Sequence, residues 1–119
     1  MKKTVVIGAS DNPERYAYKA VNMLTQHGHE VVAIGLRSGK INDIEINNQK
    51  IAVADVDTVT MYVGPQNQAA WYDYILSLKP NRIIFNPGTE NPAFEKMAHE
   101  KGIETTEACT LVLLSTNQY

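Results

Sequence analysis

Apolar and polar positions fall in alternating blocks along the chain, and their periods predict strands and helices in regular succession. Thr4 to Ile7 is a short, β-branched apolar run that stops at Gly8, Ala9 and Ser10, the pattern of a strand closed by a tight turn of small residues. Beyond it Ala17, Ala20, Val21 and Leu24 recur at helical spacing and predict one buried helix face, ended by Gly28. Glu30 opens a second apolar run, Val31 to Leu36, continuous rather than alternating, as expected of a strand covered on both faces. Arg37 to Asp57 differs: a brief apolar-polar alternation at Ile44 and Ile46, broken by Asn47-Asn48, predicts an irregular loop with a small hairpin.

The blocks then resume. Asp57 to Val63 predicts a third strand closed by Gly64-Pro65, and Ala70, Trp71, Tyr74, Ile75 and Leu78 predict a second amphipathic helix with Pro80 beyond its end. Arg82 to Phe85 reads as the fourth strand, stopped by Asn86-Pro87-Gly88. Asn91 is the expected N-cap of a helix with Pro92 at its first position and Phe94, Met97 and Ala98 inward, ending at Gly102. Ile103 to Glu107 predicts a fifth strand, and Ala108-Cys109-Thr110 leads into a short last helix through Leu111, Val112 and Leu114. The expected fold is α/β, a three-layer sandwich with a parallel five-stranded sheet and helices on both faces.

Length and charge narrow the classes of function. At 119 residues the chain is a single domain, residues 1–119, with no internal repeat. A formal charge of -2 argues against a broad electrostatic footprint for nucleic acid or an anionic membrane. Met1-Lys2-Lys3 before Thr4 to Ile7 looks briefly like a signal peptide, but that run is too short and soon meets Asp11, Glu14 and Arg15. The lone Cys109 can make neither an internal disulfide nor a zinc site, so a reducing cytoplasm is the expected location.

The chemistry suggested by the pattern lies at the carboxyl ends of the strands, where an open α/β sheet binds its ligand. Gly8-Ala9-Ser10, Gly35-Leu36-Arg37, Val63-Gly64-Pro65 and Asn86-Pro87-Gly88 all fall there. A small-residue turn before a helix lets main-chain amides approach a phosphate, and the helix start adds roughly half a positive charge. The same turn also serves as a plain strand-to-helix corner. The dinucleotide pattern of three spaced glycines is absent, with Ser10 and Pro13 replacing its second and third. The acid expected after the second strand of an NAD site is replaced by Arg37 and Lys40. These are either solvated loop charges or a seat for a phosphate on the adenosine ribose, which NADP carries at the 2′ and coenzyme A at the 3′ position.

The block Ile-Gly-Ala-Ser-x-x-Pro-x-Arg-x-x-Tyr from Ile7 to Tyr18, with Gly28-His29-x-Val31, Gly88, Gly102-Ile103 and Cys109, resembles the small single-domain CoA-binding proteins. Their Rossmann-like domain is similar to that of the succinyl-CoA synthetase alpha subunit. The resemblance spans nearly the whole chain. It implies a CoA cofactor with Gly8, Ala9 and Ser10 against the diphosphate, Arg15 and Tyr18 flanking it, and Gly35, Leu36 and Arg37 lining the adenosine. Val63, Gly64 and Pro65 would border the adenine or pantetheine, with Pro87 and Gly88 as the opposite wall. The chain departs from the family pattern at Gly35-Leu36-Arg37, where an Asn-Pro pair is common, and at Phe85-Asn86-Pro87-Gly88.

No catalytic constellation accompanies these residues. His27 and His29 sit at a helix-to-strand corner and His99 on a polar helix face, so surface or capping roles are expected. Asp11 and Glu14 are expected to cap a helix start. Cys109 is either a small buried residue or a thiol partner for CoA. Trp71 and Tyr74 are expected in the core. The leading expectation is therefore non-catalytic binding of CoA or an acyl-CoA. The rivals are an NADP-dependent oxidoreductase and a scaffold that has lost its ligand.

Overall fold

The computed structural model describes residues 1–119, built in chain order from β1 (Thr4–Ile7), α1 (Tyr16–Gln26), β2 (Val31–Ile34), β3 (Gly39–Ile41), β4 (Ile44–Asn47), β5 (Thr58–Met61), α2 (Tyr72–Ser77), β6 (Arg82–Phe85), α3 (Pro92–Glu100), β7 (Glu104–Glu107) and α4 (Thr110–Ser115). The strands form one sheet in the order β3-β4-β2-β1-β5-β6-β7. All five expected strands pair parallel, with β1 central between β2 and β5. Two crossovers leave β1 in opposite directions, so the order reverses at the β1–β5 junction, where such sheets open a crevice.

The sheet has seven strands rather than five, and it is not wholly parallel. The small hairpin expected between Arg37 and Asp57 does form, but it extends the sheet instead of lying over it. β4 pairs parallel to β2 through Ala33↔Ile46 and Ile34↔Asn47, and β3 returns antiparallel as the edge. Asn42 makes the two-residue turn affordable, taking φ 52°, a left-handed conformation Asn tolerates. Ile41 and Ile46 supply the driving force, because both are buried in the core beside α1.

Strand alternation sends side chains to two cores. Val5, Ile7, Val59, Met61, Ile83 and Phe85 meet Trp71, Ile75, Phe94 and Ala98 of the α2 and α3 layer. Val6 and Ala33 meet Ala17, Val21, Leu24 and Leu114 of the α1 and α4 layer. The four residues expected inward on the first helix are all buried. Asn91 caps α3 as expected, its side chain accepting from the Phe94 amide at 3.2 Å, with Pro92 in the first turn. α2 is shorter than the apolar spacing predicts: Pro65–Asn67 and Ala69–Trp71 are single 3₁₀ turns, and the α-helix starts only at Tyr72. Trp71 and Tyr74 lie in and against the core, as expected. No helix is long and apolar enough to cross a membrane.

Candidate functional site

The turn after β1 lies at the point where strand order reverses. Gly8 adopts φ +93°, and a Cβ there would stand 2.9 Å from the Tyr62 carbonyl group, so the chain can pass this close to β5 only without a side chain. Gly35, at the end of β2, is tighter still, because its missing Cβ would lie 2.3 Å from the Ala9 carbonyl oxygen. The ends of β1, β2 and β5 are therefore drawn together by two glycines.

The main-chain donors are distributed differently from the expectation. The amides of Gly8 and Ala9 both donate to the Ile34 carbonyl, at 2.9 and 3.0 Å, because the sheet ladder continues past the last strand residue. Those two groups are engaged. The amides of Ser10 and Asp11, and of Tyr16, Ala17 and Tyr18 in the first turn of α1, have no partner within the protein. Arg15 is the N-cap of α1, no side chain caps the helix, and no acidic residue sits in its first turn. An eleven-residue helix thus presents its positive end uncompensated. The capping role expected of Asp11 and Glu14 is not what they do. Asn12 takes the local bonds instead, its side chain accepting from the Glu14 amide, while the Asp11 carboxylate lies where a side chain on Gly39 would be.

The remaining expected residues differ in exposure and in their bonds. Leu36 is 87% exposed, and Arg37 and Lys40 are exposed with no hydrogen bond or ion pair. Tyr18 is half-buried against the α1 and α4 core, whereas Tyr16 is 68% exposed with the Lys19 ammonium 5.4 Å from its ring. Pro87 and Gly88 are exposed, and Gly88 takes φ +92° with its amide donating to Glu90. Cys109 is half-buried as the N-cap of α4.

Two buried polar bridges hold the site's walls, and neither stands out in the sequence. Gln68 is fully buried and donates through one amide nitrogen to the carbonyls of Val63 and Thr89, at 2.8 and 2.7 Å, while Asn91 donates to its oxygen. The loops carrying Val63-Gly64-Pro65 and Pro87-Gly88 are thereby fixed to each other. Asn86 donates to the Thr60 hydroxyl and the Met61 carbonyl and accepts from the Thr110 amide at 2.8 Å, tying β5 and β6 to the start of α4. The Tyr62 hydroxyl is enclosed beside this bridge with no hydrogen bond of its own, and burial raises its pKa above the ordinary 10.0. A signal for Asn86 was present only as a polar residue directly after an apolar strand.

The histidines lie elsewhere. His27 is the C-cap residue of α1 and His99 bonds the Thr105 hydroxyl at 2.7 Å, in line with the expected capping and surface roles. His29 is different, being half-buried against Tyr119 near the amino ends of the strands.

Comparison with known proteins gives a consistent picture. The CoA binding domain family matches residues 2–115. A crystal structure of an uncharacterised protein is 49% identical, with a TM-score of 0.98 over 100% of this chain and 98% of that one. A hypothetical protein from Pyrococcus horikoshii OT3 is 21% identical, with a TM-score of 0.87 over 97% of this chain and 82% of that one. The dinucleotide-forming acetyl-coenzyme A synthetase 1 of Ca. Korarchaeum cryptofilum, solved with phosphate and ADP, is 15% identical with a TM-score of 0.70, covering 89% of this chain and 25% of that one. The last two likenesses are of fold, a Rossmann-like α/β sheet. None of the curated proteins matches the chain.

Proposed function

This chain belongs to the CoA binding domain family, and on that premise we propose that it binds coenzyme A or an acyl-CoA at the carboxyl edge of its sheet, with no catalytic step of its own. The observation that carries the reading is the uncapped start of α1, where the amides of Tyr16, Ala17 and Tyr18, like those of Ser10 and Asp11, have no partner within the protein. A diphosphate satisfies such donors and meets the helix's positive end. Gly8 and Ala9 then serve as the floor of the turn, admitting the ligand by their small size, while Ser10 supplies the donor. Arg15 and Tyr18 flank it.

On one side of the turn Gly35, Leu36 and Arg37 receive the adenosine, and the unpaired Arg37 guanidinium suits its 3′-phosphate. On the other, Val63, Gly64 and Pro65 are tied through Gln68 to the loop that carries Pro87 and Gly88, and these two loops receive the pantetheine arm. Cys109 stands at this edge as a candidate partner for the CoA thiol. Arg37 would equally suit NADP, but a hydride transfer needs a proton donor beside the nicotinamide, and none of the three histidines belongs to this edge.

Calorimetric titration with CoA, acetyl-CoA, dephospho-CoA and NADPH tests the proposal. CoA is expected to saturate one site. Loss of the 3′-phosphate removes a charge-assisted contact of about 1.5 to 3 kcal/mol, so dephospho-CoA should bind roughly ten- to a hundredfold more weakly. Saturation by NADPH without saturation by CoA would rank the oxidoreductase reading first, and failure to bind any of the four while forming a stable hetero-oligomer would support the scaffold reading.

A further inference from the structure

Gln68 sits between the two single 3₁₀ turns, Pro65–Asn67 and Ala69–Trp71, and is fully buried although Asn67 and Ala69 on either side of it are exposed. Both of its amide hydrogens are used. They go to main-chain oxygens, of Val63 at 2.8 Å and of Thr89 at 2.7 Å, while Oε1 accepts from Asn91 Nδ2 at 3.0 Å. Asn91 is fixed in turn, since it also donates to the Tyr72 hydroxyl at 2.8 Å and accepts from the Phe94 amide at the start of α3. One side chain thus joins the main chain leaving β5 to the main chain leaving β6.

Each of these loops is also closed on itself. The Gly64 carbonyl accepts from the Asn67 amide at 2.9 Å, which folds the first loop onto the turn that carries Gln68. In the second, the amide and the hydroxyl of Thr89 both donate to the Asn86 carbonyl, at 2.9 and 2.8 Å, and the Asn86 side chain is held to β5. Only Pro87 and Gly88 lie between those two anchors. Polar bonds rather than apolar burial hold the loops, because of Val63, Gly64, Pro65, Pro87 and Gly88 only Val63 packs against the core.

Resting on the reading of this edge as a CoA site, we propose that Gln68 is a positioning residue for the pantetheine arm: its buried amide fixes the two loops relative to each other before the ligand arrives, so that the arm's share of the affinity depends on it and the nucleotide's does not. The loops suit such an arm. Val63, Gly64, Pro65, Pro87 and Gly88 hold no titratable side chain, and the amides of Val63 and Gly64 have no partner within the protein. Glu90, next along, accepts from the Gly88 amide at 2.9 Å. Pantetheine is a neutral chain of amides and methylenes, which needs main-chain partners and apolar contact rather than charge. In the same reading the nucleotide lies between the turn after β1 and Gly35 to Arg37, and no bond of Gln68 reaches those residues. Loops ordered in advance spare the ligand the entropy of ordering them, and loss of the brace returns that cost to the arm alone.

Calorimetry with two ligands tests the assignment: CoA, and adenosine 3′-phosphate 5′-diphosphate, which keeps the nucleotide and the diphosphate but lacks the arm. Gln68→Met keeps the length of the side chain and removes both donors and the acceptor. CoA is expected to bind this variant at least about tenfold more weakly, and the armless nucleotide within about twofold of its affinity for the unaltered protein. An equal loss for both ligands would make Gln68 a support of the fold alone, and no loss for either would take the arm away from these loops; each result overturns the assignment while leaving CoA binding in place. Should the unaltered protein bind neither ligand, the CoA reading falls and the assignment with it. NMR of the unaltered protein decides the matter even where the variant folds poorly. The two Gln68 Nε2 hydrogens are expected to exchange slowly with solvent in the free protein, and adding CoA should change their rate by less than about threefold. Exchange that is fast until CoA is present would show that the brace forms on binding, and would overturn the proposal.

Discussion

The Cβ that Gly35 lacks would stand 2.3 Å from the carbonyl oxygen of Ala9, closer than any side-chain atom can approach a main-chain oxygen. Nothing there can swing aside, since Ala9 is held to β2 by its own amide and Gly35 is bonded to Asn47 of β4. Gly35→Ala must therefore part β2 from the turn after β1. The expected cost is about 1 to 3 kcal/mol, as for other overpacked sites, with CoA affinity falling at least about tenfold. Urea denaturation and calorimetry measure the two effects, and an unshifted midpoint would mean that this contact holds nothing together.

Arg37 offers the opposite case, a charged side chain with no partner to lose. Arg37→Ala is expected to change stability by less than about 0.5 kcal/mol. It should weaken CoA by roughly ten- to a hundredfold and leave dephospho-CoA unaffected. Calorimetry on the variant with both ligands isolates the 3′-phosphate contact, and an equal loss for the two would assign Arg37 to another part of the ligand.

Asn86 fills three bonding roles from a buried position between β5, β6 and α4. Asn86→Leu keeps much of the volume and strands the Thr110 amide and the Met61 carbonyl without partners. Each buried orphan costs about 1 to 3 kcal/mol, so a loss on the order of 3 kcal/mol is expected by urea denaturation. Hydrogen exchange should show α4 opening first. A loss below about 0.5 kcal/mol would show that water replaces the amide without cost.

Glu95 on α3 and Glu107 at the end of β7 face each other, and burial together with the neighbouring Glu107 carboxyl raises the Glu95 pKa above the ordinary 4.5. The folded chain thus holds this proton more firmly than the unfolded chain. Its favourable contribution is complete below about 4.5 and is lost as pH rises through the raised value, leaving like charges opposed near neutrality. Glu107→Gln is expected to raise Tm at pH 7 and to leave it unchanged at pH 4. Thermal scans at the two pH values check this, and equal Tm for the two proteins at pH 7 would refute the opposition.

The residues that were legible in advance share a local cause. Ala17, Ala20, Val21 and Leu24 announce a buried face because helix period alone brings them together, and Asn91 with Pro92 announces a helix start because the cap bond spans three residues. Thr60 and Thr110 announce nothing, and Asn86 announces only the end of a strand. Thr60 and Asn86 lie 26 residues apart and Asn86 and Thr110 lie 24 apart, and each is an ordinary polar residue until strand pairing makes them neighbours. The same holds for Gln68, an ordinary polar residue between Gly64-Pro65 and Ala70 that proves to be a fully buried brace.

What the amino-acid order determined alone was the succession of strands and helices, the two buried faces and the small-residue turns at the carboxyl edge, because hydrophobic period and glycine geometry act over a few residues. Tertiary structure decided the rest. It added the β3 and β4 hairpin to the sheet, committed the Gly8 and Ala9 amides to Ile34 and left those of α1 open, and sent Asp11 toward Gly39 instead of the helix. Each of these depends on which donor meets which acceptor across the sheet, and that choice is made only when distant segments close on one another.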